Sequence, residues 1–457
     1  MKPKSIAMFN LVETRRDPRV RRMANALALA GHRIQVFGVL AESNVRQEAY
    51  DNYEIIRIPW AETYRRRDMD EMEAAVPVVG AILRRCQRDV MELADMTNLE
   101  IQARRVRGVT RRIVNTLRRV DPNAKGPPRR TARDEVQRVR AIMLTNFLLY
   151  RAALGARPDV VHCNDLDTLL AGLMLKETLH IPLIYDAHEI YADQLASEER
   201  SPFWYQFYSR LEKELLPYTD GRMTVCDSLG RYFEQQYGSR PFLTVHNVPS
   251  LRLLPDPEVL RRRSRPRKIL YHGAYASHRG LEQVVAAAQF VPQGAFVLRG
   301  YGSIESQLRD LARQYGVEDR VTFAPAVEVD DLITTAAESD IGLNPFSPVC
   351  HNTRFALPNK FFEYMMAGLA IGSTALPEMG ALTQQLDVGI LFDDNRPETL
   401  AEGLLKLLGD EPRLDEYRRN SYEAARTQFN WERVRTEMLA YYEDVLCGNG
   451  RHYPPIL

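Results

Sequence analysis

Short apolar runs alternate with longer helical patterns along most of the chain, and this alternation constrains the fold more than any other feature. Helical spacing is found, for example, at Val20–Ala30, Leu281–Phe290 and Ile304–Tyr315. The repeated order of strand and helix predicts an α/β fold with parallel sheets that helices cover on both faces. Ligands of such folds bind beyond the carboxyl ends of the strands. The predicted strands are Ser5–Phe9, Arg33–Gly38, Glu54–Ile58, Asp159–Cys163, Pro182–Asp186, Arg222–Cys226, Leu243–His246, Lys268–His272, Ala295–Arg299, Val321–Phe323, Ile341–Asn344, Ala370–Ser373 and Gly389–Phe392.

A proline-rich segment interrupts the alternation near the middle of the chain. Ser250–Arg267 contains three prolines and no hydrophobic periodicity, which is typical of a linker. We therefore predict two doubly wound, Rossmann-like domains that face each other across a cleft. Residues 1–250 form the first, 251–267 the linker and 268–428 the second. Trp431–Leu446 is a predicted amphipathic helix, in a segment (429–457) expected to return to the first domain.

Residues 61–151 do not fit the alternation and form a helix-prone, basic insertion. Arg104–Arg140 holds 13 Lys and Arg against three Asp and Glu, a local net charge of +10. One interpretation is a solvated helical insertion or lid. Another is a face that contacts anionic lipid headgroups. Nucleic acid is not an expected partner, because this stretch has no aromatic residue to stack on bases.

Composition indicates an ordinary globular protein without a global electrostatic preference. The 457 residues are 45% hydrophobic and 26% charged, with 61 Lys and Arg against 60 Asp and Glu. No apolar run reaches 18 residues, and the apolar stretch near the N-terminus is too short for a signal peptide. The five scattered cysteines argue against disulfides or a zinc site. We expect a cytoplasmic protein, and peripheral binding to the inner face of the membrane stays open as one interpretation of the basic insertion.

In the first half, polar residues follow three predicted strands. Asp17 suits the N-cap of a helix whose N-terminus could point into the cleft, although capping alone is an equal alternative. Asp165 belongs to a D-x-D pattern that recurs at Asp68-Met69-Asp70, so we predict a hydroxyl contact or an N-cap and no metal. His188 and Glu189 end an apolar strand, and His188 is predicted to lie in the active cleft rather than in the core.

In the second half, two glycine turns and one helix could bind an anion. Gly273 follows a strand and precedes Arg279, and Gly300 and Gly302 end the next strand. These turns could cradle a phosphate or be ordinary turns. The helix after Pro358 presents Lys360 and Glu363 on one face, where Lys360 favours an anion and Glu363 could accept ribose hydroxyls. A surface salt pair is the alternative.

Taken in order, these motifs resemble the family 4 glycosyltransferases of the GT-B fold. The resemblance rests on Asp17–Val20, Val160–Asp165, Tyr185–Glu189, Tyr271–Gly280, Leu357–Gly368 and Phe429–Trp431. It implies retaining transfer of a sugar from a nucleotide donor, a UDP- or GDP-sugar, to a hydroxyl of a glycan, lipid-linked or small-molecule acceptor. No cofactor or metal is required. The implied sites are catalytic His188, Arg279 and Lys360; donor-binding Gly273, Gly300, Gly302, Asn359 and Glu363; and acceptor-side Asp17, Asp165 and Glu189.

The sequence departs from the family pattern at three places. The first of two glutamates eight positions apart is replaced by Phe355, and an arginine after the first glycine of the second domain is replaced by Ala274, for which His272 or Tyr275 could compensate. A glycine-rich first loop is replaced by Glu13–Arg16. Two other functions stay open: a nucleotide-sugar epimerase of the same fold, and a non-catalytic scaffold that docks on membranes.

Overall fold

The computed structural model describes residues 2–11, 17–40, 46–59, 76–82, 85, 132–194, 202–262, 265–393 and 396–448. The strands are β1 Ser5–Phe9, β2 Arg33–Leu40, β3 Gln47–Ala49, β4 Tyr53–Pro59, β5 Val160–Asn164, β6 Leu183–Ala187, β7 Gly221–Thr224, β8 Leu243–Thr244, β9 Arg267–His272, β10 Gly294–Arg299, β11 Val321–Ala324, β12 Ile341–Asn344, β13 Ala370–Thr374 and β14 Gly389–Phe392. The helices are α1 Pro18–Leu29, α2 Ala132–Leu154, α3 Leu166–Leu179, α4 Pro202–Leu215, α5 Asp227–Tyr237, α6 Leu281–Ala287, α7 Glu305–Tyr315, α8 Leu332–Ala336, α9 His351–Arg354, α10 Asn359–Met366, α11 Pro377–Gln385, α12 Pro397–Gly409, α13 Glu411–Thr427 and α14 Trp431–Leu446.

The strands form two sheets, which confirms the predicted α/β class. The first has the order β3-β4-β2-β1-β5-β6-β7-β8 and the second β11-β10-β9-β12-β13-β14. Neighbouring strands run parallel, for example β9 and β10 with Leu270 beside Val297. Strand β3 is antiparallel to β4 and was not predicted, because two of its three residues are polar and it lies at the sheet edge.

The described residues divide into two compact units. One comprises the residues up to Ala187 and those from 202 to Arg222. The other comprises residues 188–194 and those from Met223 onward, so the division falls within β7. The core of the second unit is formed by the apolar centres of its strands, such as Ile269 and Phe296, and by helix faces such as Leu308 of α7. This pattern of burial follows the helical spacing in the sequence.

The C-terminal helix α14 spans the predicted residues. Its start is bonded to the segment before the predicted linker, because the Trp431 amide donates to the Pro249 carbonyl at 2.9 Å. The Glu432 carboxylate accepts from the Ser250 hydroxyl at 2.6 Å. The predicted domain boundaries, and the return of residues 429–457 to the first domain, stay predictions.

Several predicted features lie outside the described residues. They include Asp68-Met69-Asp70, the loop Glu13–Arg16 and most of the basic stretch Arg104–Arg140, of which only the end belongs to helix α2. None of the helices in the described ranges combines the length and the apolar character that a membrane span requires.

Candidate active site

The site in the second unit is built on the carboxyl ends of β9 and β10, which are neighbours in the sheet. The loops after these strands pack directly on one another. The Gly273 amide donates to the Arg299 carbonyl at 3.0 Å, and the Tyr275 amide donates to the Tyr301 carbonyl at 2.8 Å. The ends of the two strands therefore form one continuous rim of backbone.

Glycine is required in this rim for two different reasons. At Gly300, with φ of 150°, an added Cβ would lie 2.0 Å from the Gly273 carbonyl oxygen, and at Gly302 it would lie 2.0 Å from that of Tyr275. These two glycines let the loops pack on each other, which favours the turn interpretation. At Gly273 the added Cβ would lie 3.0 Å from the Lys360 ammonium nitrogen. Of these three glycines, Gly273 is the one that leaves room for the Lys360 ammonium group.

Two cations lie over one aromatic ring, that of Phe346. The Lys360 Nζ lies 3.7 Å from the centroid of the Tyr271 ring and 5.6 Å from that of Phe346. The Arg279 Cζ lies 4.7 Å from the centroid of the same Phe346 ring. Within the described part of the chain, neither cation forms a salt bridge with a carboxylate. The rings hold both charges in place without neutralising them.

The close approach of Arg279 to Phe346 follows from its neighbour Gly280. This glycine begins α6 with φ of 70°, and an added Cβ would lie 1.6 Å from the Pro345 carbonyl oxygen. The loop that carries Arg279 can therefore approach the end of β12 only with glycine at this position. The sequence singled out Arg279-Gly280, whereas no pattern singled out Phe346.

Lys360 lies in the first turn of α10, where the helix N-terminus adds partial positive charge. Desolvation of its ammonium group is the main reason that the pKa of Lys360 falls well below its ordinary value. The charge of Arg279 lowers this pKa further, and Glu363 acts in the opposite direction. A group in this situation gains from an anion, because an anion stabilises its protonated form.

Glu363 lies one turn further along α10 and is oriented by a histidine. His272, buried at the end of β9, places its Nε2 2.8 Å from the Glu363 Oε2. The His272 amide donates to the Tyr364 hydroxyl at 2.9 Å, which fixes the end of β9 to the same helix. Of the two residues that could compensate for Ala274, His272 therefore supports Glu363. Tyr275 instead donates its buried hydroxyl to the Leu298 carbonyl.

Helix α10 confirms the predicted amphipathic pattern. It begins at Asn359 after Pro358 and buries its aromatic and methionine residues, while Asn359, Lys360 and Glu363 stay partly exposed. The position of the missing glutamate, Phe355, is filled by aromatic packing: its ring centroid lies 5.6 Å from that of Tyr232.

In the first unit, a buried ion pair occupies the strand ends, and the sequence did not predict it. The Arg19 Nε and Nη2 donate to the two oxygens of Asp186 at 2.8 and 2.6 Å, and both side chains are buried. His162 Nε2 lies 3.7 Å from Asp186. Capping was predicted for this region, yet Arg19 reaches inward because the first turn of α1 faces the end of β6. A D-P-R motif paired with a strand-end aspartate is the signal that could have found it.

Asp17 and Asp165 both lie where a strand passes into a helix in the first unit. The Asp17 carboxylate caps α1 by accepting from the amides of Arg19 and Val20 at 3.0 and 3.1 Å, as the capping interpretation predicts. Asp165 precedes α3 with a positive φ of 60° and does not cap that helix with its side chain. A strained non-glycine residue at a strand end is common at functional sites.

His188 and Glu189 belong to the second unit, together with Gly273, Arg279 and Lys360. His188 is half-buried directly after β6. Glu189 accepts from Asn352 of α9 at 3.0 Å and from Gln194 at 2.5 Å. In the described ranges, no group of three or more His, Cys, Asp or Glu residues could hold a metal ion.

Two family models cover most of the chain. The model described as "Glycosyl transferase 4-like domain" matches residues 17–249, about half of the chain, and the model described as "Glycosyl transferases group 1" matches residues 255–428. The chain belongs to the glycosyltransferase 4-like family. The resemblance stated from the sequence is thereby confirmed.

Relatives of this glycosyltransferase agree with that assignment. An uncharacterised glycosyltransferase of Bacillus subtilis, YqgM, is 25% identical over 209 residues, which is 44% of this chain and 56% of the relative. The chain spans about half the length of the curated relatives it matches.

Solved structures confirm the GT-B fold. Sucrose-phosphate synthase from Thermosynechococcus elongatus superposes with a TM-score of 0.66 at 17% identity, covering 97% of this chain and 100% of that one. Anabaena HepE, in complex with UDP and glucose, superposes with a TM-score of 0.62 at 12% identity, covering 96% and 100%. At these identities the likeness establishes the fold alone.

Proposed function

We propose that this protein transfers a sugar from a nucleotide-diphosphate donor to an acceptor hydroxyl, with retention of configuration at the anomeric carbon. The family assignment supports glycosyl transfer, and the complex of Anabaena HepE with UDP and glucose supports a uridine-diphosphate sugar as a candidate donor.

The observation that carries the proposal is the pair of cations on the Phe346 ring. Lys360 lies beside Gly273 in the first turn of α10, and Arg279 lies over the same Phe346 ring. Neither cation is neutralised by a salt bridge among the described residues. Two positive charges that aromatic rings hold close together favour a ligand with two adjacent negative charges. A pyrophosphate carries two adjacent negative groups, whereas a single carboxylate does not.

These groups would lower the barrier to departure of the diphosphate. Negative charge grows on the leaving oxygen as the bond to the sugar breaks, and fixed positive charge stabilises it there. Removal of one such contact typically costs about 3 kcal/mol, near a hundredfold in rate. The oriented Glu363 carboxylate would accept the ribose hydroxyls and so fix the nucleotide relative to the cations.

Retention follows when departure and attack take place on the same face of the sugar. The departing phosphate oxygen then accepts the proton of the acceptor hydroxyl, so no separate general base is needed. His188 would contact the donor sugar near the anomeric carbon. Positive charge from Lys360, Arg279 and the helix N-terminus supplies what a divalent metal would supply, and we propose that no cofactor is required.

The acceptor would be a glycan, a lipid-linked molecule or a small molecule, and the resemblance implies Asp17, Asp165 and Glu189 as acceptor-side residues. The charge of Arg104–Arg140 supports binding to an anionic membrane at the inner face, which would bring the enzyme to a lipid-linked acceptor. Sedimentation with vesicles containing anionic lipid, compared with neutral vesicles, tests this part separately. Equal binding to both kinds of vesicle would contradict it.

The main test is transfer by variants that remove one cation each. Lys360→Ala and Arg279→Ala should each lower turnover about a hundredfold with UDP- or GDP-sugars. Lys406→Ala, on the exposed surface of α12, is the matched lysine control. Arg309→Ala is the arginine control, because Arg309 also lies over an aromatic ring, 4.4 Å from the centroid of Phe323, but is paired with Glu305.

The outcome is read from both rate and product. Full activity of Lys360→Ala would refute the phosphate role. Nuclear magnetic resonance of the product should show the anomeric configuration of the donor, and an inverted product would refute retention. Release of a free sugar without an acceptor would favour the epimerase, and the absence of any nucleotide binding would favour the scaffold.

A further inference from the structure

An asparagine side chain of α9 holds the segment that carries His188. The Ile190 amide donates to the Asn352 Oδ1 at 3.1 Å, and the Asn352 Nδ2 donates to the Glu189 Oε2 at 3.0 Å. The two polar atoms of the Asn352 side chain therefore bond Glu189 and Ile190, the two residues that directly follow His188. Residues 188–194 and α9 lie in the same compact unit.

A second contact fastens the far end of the segment to the same short helix. Asp193 ends the 3-10 turn Tyr191–Asp193 and is fully buried. Its Oδ2 accepts from both the amide and the Nδ1 of His351, at 2.9 and 2.6 Å. A buried carboxylate needs such donors, so this contact is costly to break. Gln194, the residue after Asp193, donates to the Glu189 Oε1 and so links the two ends of the segment.

We propose that Asn352 and His351 are positioning residues, which hold the backbone of the His188 segment where His188 can act on the donor sugar. The proposal rests on the proposed function, in which His188 contacts that sugar. Among the described residues, neither side chain is bonded to the Lys360 or Arg279 cation, so their effect reaches the reaction through the placement of His188. A small displacement of a reacting group is enough to lower turnover strongly.

The first test removes one contact at a time. Asn352→Ala should lower kcat about tenfold or more and leave the KM for the donor and the affinity for UDP or GDP within about twofold. His351→Ala should act in the same direction, whereas His351→Asn, which keeps a donor near the position of Nδ1, should recover most of the lost rate. Asn420→Ala is the matched control, because Asn420 also donates a side-chain hydrogen bond within this unit, to the Asp387 carbonyl.

The second test does not depend on catalysis. Hydrogen exchange measured on peptides that contain Ile190 should become faster in Asn352→Ala and stay unchanged in Asn420→Ala, because local opening governs the exchange of that amide. Unchanged exchange, or a kcat within twofold of the parent in both Asn352→Ala and His351→Ala, would overturn the proposal. An equal rise in KM and loss of nucleotide affinity would also overturn it, since that pattern indicates general damage to the donor site.

The two proposals can fail separately. If the parent protein transfers no sugar but Asn352→Ala speeds exchange at Ile190, the proposed function fails and the fastening of the segment stands. If the parent transfers sugar and the variants keep full kcat, the proposed function stands and the positioning role fails.

Discussion

The buried ion pair between Arg19 and Asp186 permits the sharpest prediction about stability. The guanidinium and the carboxylate meet through two hydrogen bonds of 2.8 and 2.6 Å, and the two side chains are 3% and 0% exposed. Arg19→Met removes the cation and leaves the Asp186 charge in a dehydrated site. Removal of one partner of such a pair typically costs about 3–5 kcal/mol of unfolding free energy. The His162 Nε2 lies 3.7 Å from Asp186, which is too far for a hydrogen bond that could replace the guanidinium.

The assay is urea unfolding of the parent and variants at neutral pH. The double variant Arg19→Met/Asp186→Leu removes both charges and should recover most of the loss. Arg33→Met is the matched control in the same unit, because Arg33 is 73% exposed and lies 3.8 Å from Glu54; its effect should stay below about 1 kcal/mol. A loss below about 1 kcal/mol for Arg19→Met, or equal losses for the single and double variants, would refute the reasoning.

Three further predictions concern titration, packing and thiol chemistry. Because desolvation lowers the pKa of Lys360, the affinity for nucleotide diphosphates should fall as pH rises through that lowered pKa, well before ordinary lysines titrate. The fall should be shallower in Lys360→Arg. Calorimetry at several pH values checks this, and a flat profile in the parent would contradict it. Gly300→Ala should lower the unfolding free energy by about 1–3 kcal/mol, because its Cβ would collide with the Gly273 carbonyl; an unchanged melting temperature would contradict this. Burial raises the pKa of the Cys226 thiol to about 12, so a thiol reagent should modify the exposed Cys447 first, and equal rates would contradict the prediction.

Much of the fold could be predicted because its signals are local. All thirteen predicted strands are present, since each is a short and largely apolar run of the kind that a parallel sheet buries. Helix α14 was predicted to the residue because its apolar residues recur at helical spacing. Strand β3 was missed because a short polar edge strand carries no such signal.

The candidate site was predicted less completely, because contacts between distant residues leave no trace in a local pattern. Lys360 and Glu363 were found together, since three residues of helix place them on one face. Phe346 was missed, although its ring joins Lys360 to Arg279, because nothing in its own neighbourhood marks it. The roles of Gly300 and Gly302 could not be separated from that of Gly273 until the packing of the two loops was known.

The measurement that tests the central claim most directly is the contribution of the phosphates to binding. Calorimetry compares UDP with uridine, and GDP with guanosine, in the parent, in Lys360→Ala and in the Lys406→Ala control. In the parent and the control, the nucleoside diphosphate should bind at least a hundredfold more tightly than the nucleoside. In Lys360→Ala, the ratio of these two affinities should shrink by about tenfold or more, while the affinity for the nucleoside stays constant. An unchanged ratio in Lys360→Ala would contradict the claim that this lysine holds the diphosphate.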